Sequence, residues 1–192
     1  MSKIVIVQGH PDASEQHFCH ALADAYATGA EAAGHHLARI ELSRMDIPFL
    51  TSQKEQEEGV VLPAIAEAQA LIRAADHLVI VYPLWLGEMP ALLKAFFEQM
   101  ARPGFAYSHG KGPFKNGLLT GKSARVVVTM GMPAFLYRLY YGSHSLKALK
   151  IGILRFVGIR PVRDTLIGMV GAKGFDGEKW LKEMERLGRA AR

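Results

Sequence analysis

Cysteine and long apolar runs are the two features that this sequence most clearly lacks. The single cysteine among 192 residues, Cys19, excludes a disulfide within the chain and the usual zinc sites built from several cysteines. No apolar run reaches the roughly 18 to 20 residues of a membrane helix, and the opening residues MSKIVIV lack the apolar core and cleavage site of a signal peptide. We therefore expect a soluble, cytoplasmic protein that is not inserted into a membrane and holds no metal.

The charge pattern is unremarkable for a protein with a basic balance. Lysine and arginine number 23 against 18 aspartate and glutamate residues, for a formal net charge of +5. The basic residues are spread along the chain and form no dense block interleaved with aromatic residues, so we expect no nucleic-acid partner. Internal repeats and low-complexity linkers are also missing, which predicts a single domain over residues 1–192.

Strand and helix patterns alternate along the whole chain. The third predicted strand is apolar without alternation, as expected when helices cover both faces of a parallel sheet. Either the dinucleotide-binding or the flavodoxin-like strand order fits this alternation, and both place a ligand outside the carboxyl ends of the strands. The predicted strands are residues 3–8, 36–42, 77–82, 124–130 and 162–169.

Two nucleotide-binding signatures fail on inspection. The turn after the first strand reads GHPD and contains no G-x-G-x-x-G. The segment GLLTGKS at residues 117–123 resembles a phosphate-binding P-loop, but it is one residue too short and precedes a strand instead of joining a strand to a helix. We interpret it as a turn.

The loop after the first strand is better suited to an anion. Residues 10–17 connect the strand to the start of a helix, where unpaired N–H groups and the helix dipole favour negative charge. Ser14 or His17 would add a donor. The alternative is a simple turn in which Asp12 or Ser14 caps the helix.

The loop after the third strand, YPLWLG at residues 82–87, carries large apolar side chains where a polar turn is usual. Such a loop offers an apolar wall and free backbone amides, which together suit a planar ring with polar edges. The alternatives are a loop that packs beneath the next helix or a contact between subunits.

The loop after the fourth strand begins with TMGM at residues 129–132. Gly131 permits a ligand to approach the backbone closely. Tyr137 and His144 are proton-bearing groups in an otherwise apolar segment and would offset charge on a bound ring. Taken singly, such a tyrosine is more often a packing residue than a catalytic one, and such a histidine is more often a surface residue.

Together these loops resemble the flavodoxin-fold NAD(P)H:quinone oxidoreductases. That family includes DT-diaphorase, the modulator-of-drug-activity quinone reductases and the ancillary flavoproteins of potassium efflux systems. The resemblance covers nearly the whole chain and rests on four motifs in order. They are GHP at 9–11, YPLW at 82–85 with MPALLK at 89–94, GFAY at 104–107, and TMG at 129–131 with Tyr137 downstream.

The resemblance implies a five-stranded parallel sheet with helices on both faces and a bound flavin, either FMN or FAD. It also implies which residues of this chain form the site. Tyr137 and His144 match the family's Tyr and His pair, which assists hydride transfer. His17-Phe18-Cys19 stands where the family usually has Ser-Phe-Asn, near the flavin phosphate. The implied cofactor-binding residues are His10, His17, Phe18, Cys19, Pro83, Leu84, Trp85, Leu86, Thr129, Met130, Gly131 and Met132.

The implied reaction is two-electron reduction of a quinone or similar electrophile by NADH or NADPH, with both substrates using the flavin in turn by a ping-pong mechanism. The family also implies a homodimer with sites between subunits. The alternative is a regulatory flavoprotein that signals to a partner such as a potassium efflux system. A one-electron carrier like flavodoxin fits less well, because such carriers are typically acidic.

Overall fold

Five parallel strands form one sheet in the computed structural model, which describes residues 1–108 and 117–192. Their order is β2-β1-β3-β4-β5, and every neighbouring pair is parallel. This is the flavodoxin-like order, so it decides between the two arrangements that the sequence left open. The strands are β1 (Lys3–Gln8), β2 (His36–Glu41), β3 (His77–Pro83), β4 (Ser123–Thr129) and β5 (Val162–Ile167).

Helices cover both faces of this sheet, as predicted. Helices α1 and α7 pack on one face, and α3 and α4 pack on the other. Short helices occupy the longer connections, and α6 continues directly into a π-helical segment over Ala148–Arg155. The helices are α1 (Phe18–Ala32), α2 (Gln53–Glu58), α3 (Pro63–Ala74), α4 (Ala91–Met100), α5 (Ala134–Leu139), α6 (His144–Lys147) and α7 (Gly177–Arg189).

The apolar run in β3 follows from its central position. Leu78 and Ile80 face the α3 and α4 side, whereas Val79 and Val81 face the α1 and α7 side. All four side chains are buried. Because successive side chains of a strand point to opposite faces, a strand covered on both sides shows no alternation of polar and apolar residues.

Glycine allows α1 and α7 to pack in close contact. A Cβ on Gly29 would lie 2.0 Å from the carbonyl oxygen of Glu185, and one on Gly188 would lie 2.1 Å from that of Tyr26. The sequence pattern predicts that this helix ends around Gly29 and Gly34, and α1 does end between them, at Ala32. Gly29 itself lies inside the helix, where it serves the contact with α7.

Two connections contain more structure than the sequence indicated. The mixed polar and apolar sequence of 44–62, with Pro48 and Gly59, predicts a mostly irregular connection, yet it contains α2, where the Ser52 hydroxyl accepts a hydrogen bond from the Glu55 N–H at 3.1 Å. The loop after β4 contains α5. The glycine- and proline-rich sequence of 102–122 predicts a connection without a clear helix or strand, and part of it lies outside the described residues.

The P-loop-like segment is a turn leading into β4, as interpreted from the sequence. The Lys122 ammonium donates to the carbonyl oxygens of Arg73 and Ala75 at 2.7 and 2.6 Å, so it is occupied in tying the turn to the end of α3. Across residues 1–108 and 117–192, every helix is too short or too polar to cross a membrane.

Candidate functional site

A cleft opens at the carboxyl ends of the strands, where the loops after β1, β3 and β4 meet. Its volume is about 330 Å³. The sequence predicted that these three loops converge, and all predicted cofactor residues except Leu86 and Met132 line the cleft. The lining residues are His10, His17, Phe18, Cys19, Pro83, Leu84, Trp85, Thr129, Met130, Gly131 and Val170.

The loop after β3 forms a tight turn. The Leu84 N–H donates to the Thr129 carbonyl at 2.8 Å, and Trp85 and Glu88 exchange two backbone hydrogen bonds of 2.9 Å. Leu86 and Gly87 between them have φ angles of 49° and 81°. Leu86 therefore lies in the left-handed region, which is costly for a residue with a Cβ and recurs at ligand-binding turns.

The surroundings of this turn explain why the loop is apolar. The Trp85 side chain is 49% exposed and stands edge-on to the His10 ring, with centroids 5.9 Å apart. The backbone N–H groups of Leu86 and Gly131 donate to no group in the described part of the chain. Apolar surface beside unpaired amides is what a flat ring with polar edges requires.

His10 lines the cleft, and its ring is buried. Its Nδ1 accepts a hydrogen bond from the Asp12 N–H at 3.2 Å, so the proton of the neutral ring lies on Nε2. No described residue pairs with that Nε2 atom. Burial, together with His17 and His20, lowers the pKa of His10, which favours this neutral form with its Nε2–H free to donate.

Asp12 organises the same loop. One carboxylate oxygen accepts from the Ser14 hydroxyl and N–H at 2.6 and 2.7 Å, and the other lies 2.9 Å from His17 Nε2. The hydrogen bonds from Ser14, followed by that from His17, hold the pKa of Asp12 well below its usual range. The N-cap of α1 is His17, so neither Asp12 nor Ser14 caps the helix as the alternative interpretation expected.

The first turn of α1 completes an anion-binding corner. The N–H groups of Phe18 and Cys19 lie in the first turn, where no intrahelical acceptor exists, and the turn contains no acidic residue. The positive end of the helix dipole lies at this position. With the His10 Nε2–H nearby, the corner fits a phosphate group.

One polar side chain and one backbone hydrogen bond join the segments that surround the cleft. The Gln8 side-chain amide donates to the Cys19 carbonyl at 3.0 Å, and its oxygen lies 3.4 Å from the His10 N–H. On the opposite wall, the Val170 N–H donates to the Met130 carbonyl at 3.1 Å. Sequence reasoning missed Gln8 and Val170, although a buried glutamine at the end of an apolar strand is a usable signal.

Tyr137 and His144 do not line this cleft. The Tyr137 ring is fully buried, and its hydroxyl accepts a hydrogen bond from the Leu146 N–H at 3.2 Å. His144 is exposed at the start of α6. Met132 packs against the core below α5, and its carbonyl accepts from the Met169 N–H at 3.1 Å. Leu86 is fully exposed.

A group of exposed apolar side chains lies beside the cleft, on α5 and the β3 turn, and we call it the apolar patch. The two parts adjoin, because a Cβ on Gly87 would lie 3.9 Å from the Tyr141 ring. An exposed cluster of this kind marks an interaction surface. Its members are Leu86, Phe135, Leu136, Leu139, Tyr140 and Tyr141.

The order of the strands and the position of the cleft together define the class of protein. This is a doubly wound α/β protein whose ligand cleft combines an anion-binding corner with an apolar wall at the carboxyl ends of its strands. The sequence model of the family described as having the flavodoxin-like fold matches residues 2–187. The chain belongs to that family.

Relatives of known sequence and structure carry oxidoreductase names. The chain is 32% identical over 145 residues to rat NAD(P)H dehydrogenase (quinone) 1, a match that covers 68% of this chain and 51% of the relative. The chain thus spans about half the length of that relative. An FMN-dependent NADH:quinone oxidoreductase of Haemophilus influenzae strain PittEE is 28% identical over 140 residues, or 68% of each chain.

Among solved structures, the NAD(P)H:quinone oxidoreductase of Methanothermobacter marburgensis superposes with a TM-score of 0.80 at 28% identity. The superposition covers 98% of this chain and 96% of that one. The fold similarity therefore extends over essentially the whole chain and includes the loops that form the cleft.

Proposed function

We propose that this protein is a flavin-dependent NAD(P)H oxidoreductase that reduces quinones or similar electrophiles by two-electron transfer. The observation that carries the proposal is that an anion-binding corner and an apolar wall line the same cleft. A phosphorylated flavin needs both. The similarity to the rat and Haemophilus influenzae quinone reductases supports the same activity.

The residues that line the cleft fit a bound flavin. His10, through its Nε2–H, and the first turn of α1 would hold the phosphate, while Trp85, Leu84 and Met130 would contact the ring. A bound flavin supplies hydride transfer between the nicotinamide and the acceptor. The chain's own contribution is to orient the ring against Trp85, donate hydrogen bonds from backbone amides to its edge, and exclude water with apolar side chains.

Both substrates would use one open side of the cleft. NADH or NADPH would therefore leave before the quinone enters, which predicts ping-pong kinetics. For the cofactor we favour FMN over FAD, because the anion-binding corner and the apolar wall share one cavity of about 330 Å³. The Haemophilus influenzae relative is FMN-dependent by name, which supports the same choice.

We keep Tyr137 and His144 in the reaction, in unequal roles. Since the Tyr137 hydroxyl accepts from the Leu146 N–H of α6, Tyr137 is a positioning residue that holds the helix carrying His144 at its first position. His144 is exposed at the first position of that helix, and we propose that it approaches a bound ring or substrate. It would then offset negative charge on the reduced flavin.

The apolar patch favours a homodimer. Two copies meeting through α5 would cover Phe135, Leu139 and Tyr140, all of which are more than 60% exposed in the single chain. Because the patch adjoins the Trp85 turn, such a dimer would place the cleft near the subunit boundary. We also propose a cytoplasmic location, where the free Cys19 thiol persists and NAD(P)H is available.

The deciding experiment begins with the colour of the purified protein. We expect a flavin absorption band, release of FMN identified by mass, and oxidation of NADH or NADPH on addition of a benzoquinone. A protein that remains colourless and takes up neither FMN nor FAD would refute the proposal. Flavin binding with negligible turnover across quinones, azo dyes and nitroaromatics would instead favour a regulatory flavoprotein.

A further inference from the structure

A second cavity opens between α5, β5 and the helical segment that α6 forms with the π-helical residues after it. Its volume is about 360 Å³, and it shares no lining residue with the cleft. A space of this size is large enough for a small molecule. We call it the basic cavity, after its polar lining of Arg138, Ser143, Lys147, Lys150, Arg155 and Asp164.

Four cationic side chains and a single carboxylate line the basic cavity, a formal surplus of three positive charges. The Asp164 carboxylate pairs with Lys150 and lies 3.5 Å from the Arg138 guanidinium. Among residues 1–108 and 117–192, the side chains of Lys147 and Arg155 form no ion pair and no hydrogen bond. Two of the four cations are therefore available to an added anion.

The surplus of positive charge favours the binding of an anion. The side chains of Lys150 and Asp164 are only 19% and 21% exposed, so their ion pair belongs to the floor of the cavity and not to its rim. Like charges around a concave, partly buried surface are screened by water less than on an open surface, and they repel one another more strongly. One carboxylate offsets only part of this repulsion, and a bound anion would offset the rest.

The backbone that carries these cations is unusual. Lys147 ends α6, and Lys150 and Arg155 lie in the π-helical segment Ala148–Arg155. π-Helical turns are rare and often lie at functional sites. Ser143, at the start of the same segment, has a φ angle of 52°, in the left-handed region that is costly for a residue with a Cβ and recurs at ligand-binding sites. Two unusual backbone features therefore border one cavity.

The chemistry of the lining suits a phosphate group. Lysine and arginine bind phosphate through charge-assisted hydrogen bonds, and arginine can donate two parallel ones. A phosphate monoester carries a charge of about −1.5 to −2 at pH 7, which offsets the surplus better than a carboxylate can. Leu146 and Ile151 add apolar surface for the group that carries the phosphate. We propose that the basic cavity binds a phosphate group of a small molecule and is a site separate from the anion-binding corner.

Two kinds of molecule bring such a phosphate. NADPH carries a 2′-phosphate on its adenosine half, which lies outside the cleft when the nicotinamide meets a bound flavin, and this source rests on the proposed function. The other source is a phosphorylated metabolite that is not a substrate. Position favours NADPH, because Ser143 of the basic cavity is two residues from Tyr141, whose ring would lie 3.9 Å from a Cβ on Gly87 in the turn after β3. That turn also carries Trp85 of the cleft.

The test measures anion binding to the flavin-loaded protein, in which the anion-binding corner is already occupied. Inorganic phosphate and 2′,5′-ADP are titrated by calorimetry at constant ionic strength, with acetate as the control anion. We expect one site per chain for both phosphate ligands and much weaker binding of acetate.

Substitutions in the lining should change this affinity in opposite directions. Lys147→Gln and Arg155→Gln should each weaken phosphate binding roughly tenfold, because each removes a hydrogen bond between charged groups. Asp164→Asn should strengthen it, because the variant removes the one negative charge that competes with the ligand. Lys54→Gln, which removes an equal charge at an exposed position on α2, is the matched control, and circular dichroism checks that all four variants fold.

Quinone kinetics with each nicotinamide separates the two sources. If NADPH is the ligand, Arg155→Gln should raise the KM for NADPH roughly tenfold and leave the KM for NADH and the flavin content unchanged. Loss of phosphate binding with both KM values unchanged would assign the basic cavity to a phosphorylated metabolite.

Phosphate binding that is absent, that is no tighter than acetate binding, or that Lys147→Gln and Arg155→Gln weaken no more than Lys54→Gln does, would overturn the inference. A protein that takes up no flavin would refute the proposed function instead, and the same titrations would still test the basic cavity, because its residues lie outside the cleft.

Discussion

The thiol of Cys19 at the start of α1 lies 3.2 Å from the hydroxyl of Thr129 at the end of β4, although 110 residues separate them. This contact joins two of the three loops at the floor of the cleft. Burial raises the pKa of Cys19 to about 11, and the hydrogen bond with Thr129 offsets only part of that effect. The thiol is therefore protonated at neutral pH.

We predict that Cys19 reacts poorly with Ellman's reagent in the native protein at pH 7.5, since the thiolate is the nucleophile and the side chain is only 2% exposed. After denaturation in urea the same sample should yield one thiol per chain. Full modification of the native protein within minutes would contradict the burial of this residue beneath the cleft.

The sequence predicted the strands to within two residues at each end, and it predicted which three loops form the cleft. These features depend on apolar patterning and on the known geometry of parallel sheets. The sequence did not predict the left-handed backbone of Leu86, because a leucine carries no signal for that conformation. Nor did it predict the contacts made by Gln8 and Val170, since these depend on which loops become neighbours in space.

Helix α5 shows a second reason why part of the structure could not be predicted from the sequence. Its residues 134–139 follow Pro133, and half of them are exposed apolar side chains, which resemble an irregular loop when no partner surface is known. Helices this short are stabilised by tertiary contacts and not by intrinsic propensity. The packing of Tyr137 in the core supplies that contact, and a sequence pattern of six residues is too short to reveal it.

Trp85 and His10 should affect two parts of the cofactor separately. Trp85→Ala removes ring contact worth about 0.5 to 1.5 kcal/mol, so FMN and riboflavin should lose affinity equally. His10→Ala removes a hydrogen bond to a charged group worth about 1.5 to 3 kcal/mol, which weakens FMN roughly 10- to 150-fold and leaves riboflavin nearly unchanged. Flavin fluorescence titrations measure both, with the exposed His36→Ala as the matched control.

Equal losses for FMN and riboflavin in His10→Ala would show that the anion-binding corner is not where the phosphate binds. If Trp85→Ala binds FMN and riboflavin as tightly as the wild type does, the flavin ring does not contact Trp85.

Substitutions at Tyr137 and His144 should affect stability and turnover to different extents. Tyr137→Phe leaves the buried Leu146 N–H without its acceptor, so the free energy of unfolding should fall by about 1 to 3 kcal/mol, and turnover should fall while flavin stays bound. His144→Gln, at an exposed position, should lower kcat with little change in stability. Urea unfolding and quinone kinetics measure the two effects, and Tyr140→Phe, whose ring is 78% exposed, serves as the control.

Unchanged kcat in both Tyr137→Phe and His144→Gln would remove the pair from the mechanism. A loss of stability alone in Tyr137→Phe would leave Tyr137 with a purely structural role.

The apolar patch should determine the oligomeric state. Leu139 is 81% exposed in the single chain, and Leu139→Glu would bury a carboxylate in the proposed dimer contact. We expect a dimer for the wild type and a monomer for this variant by light scattering after size-exclusion chromatography. Val60→Glu, an equally exposed apolar position outside the patch, should remain dimeric, and a monomeric wild type would refute the proposed dimer.

His77 should make the protein sensitive to acid. Its ring is buried at the start of β3, where Nδ1 lies 2.7 Å from the Ser123 hydroxyl and Nε2 has no hydrogen-bond partner among residues 1–108 and 117–192. Burial, followed by the charges of Arg125 and Arg163, lowers its pKa to about 4. As the pH falls, His77 therefore stays neutral in the folded chain at pH values where it is already protonated in the unfolded chain.

Because the folded pKa lies below the unfolded value near 6.5, stability is complete above pH 6.5 and is lost as the pH falls toward 4. The loss attributable to His77 reaches up to about 3 kcal/mol. His77→Leu should abolish that part of the pH dependence, measured by urea unfolding of the flavin-free protein at pH 7 and pH 4.5. His10 and His20 titrate in both proteins, so the difference between the two proteins reports His77, and an unchanged pH dependence would show that folding does not lower the pKa of His77.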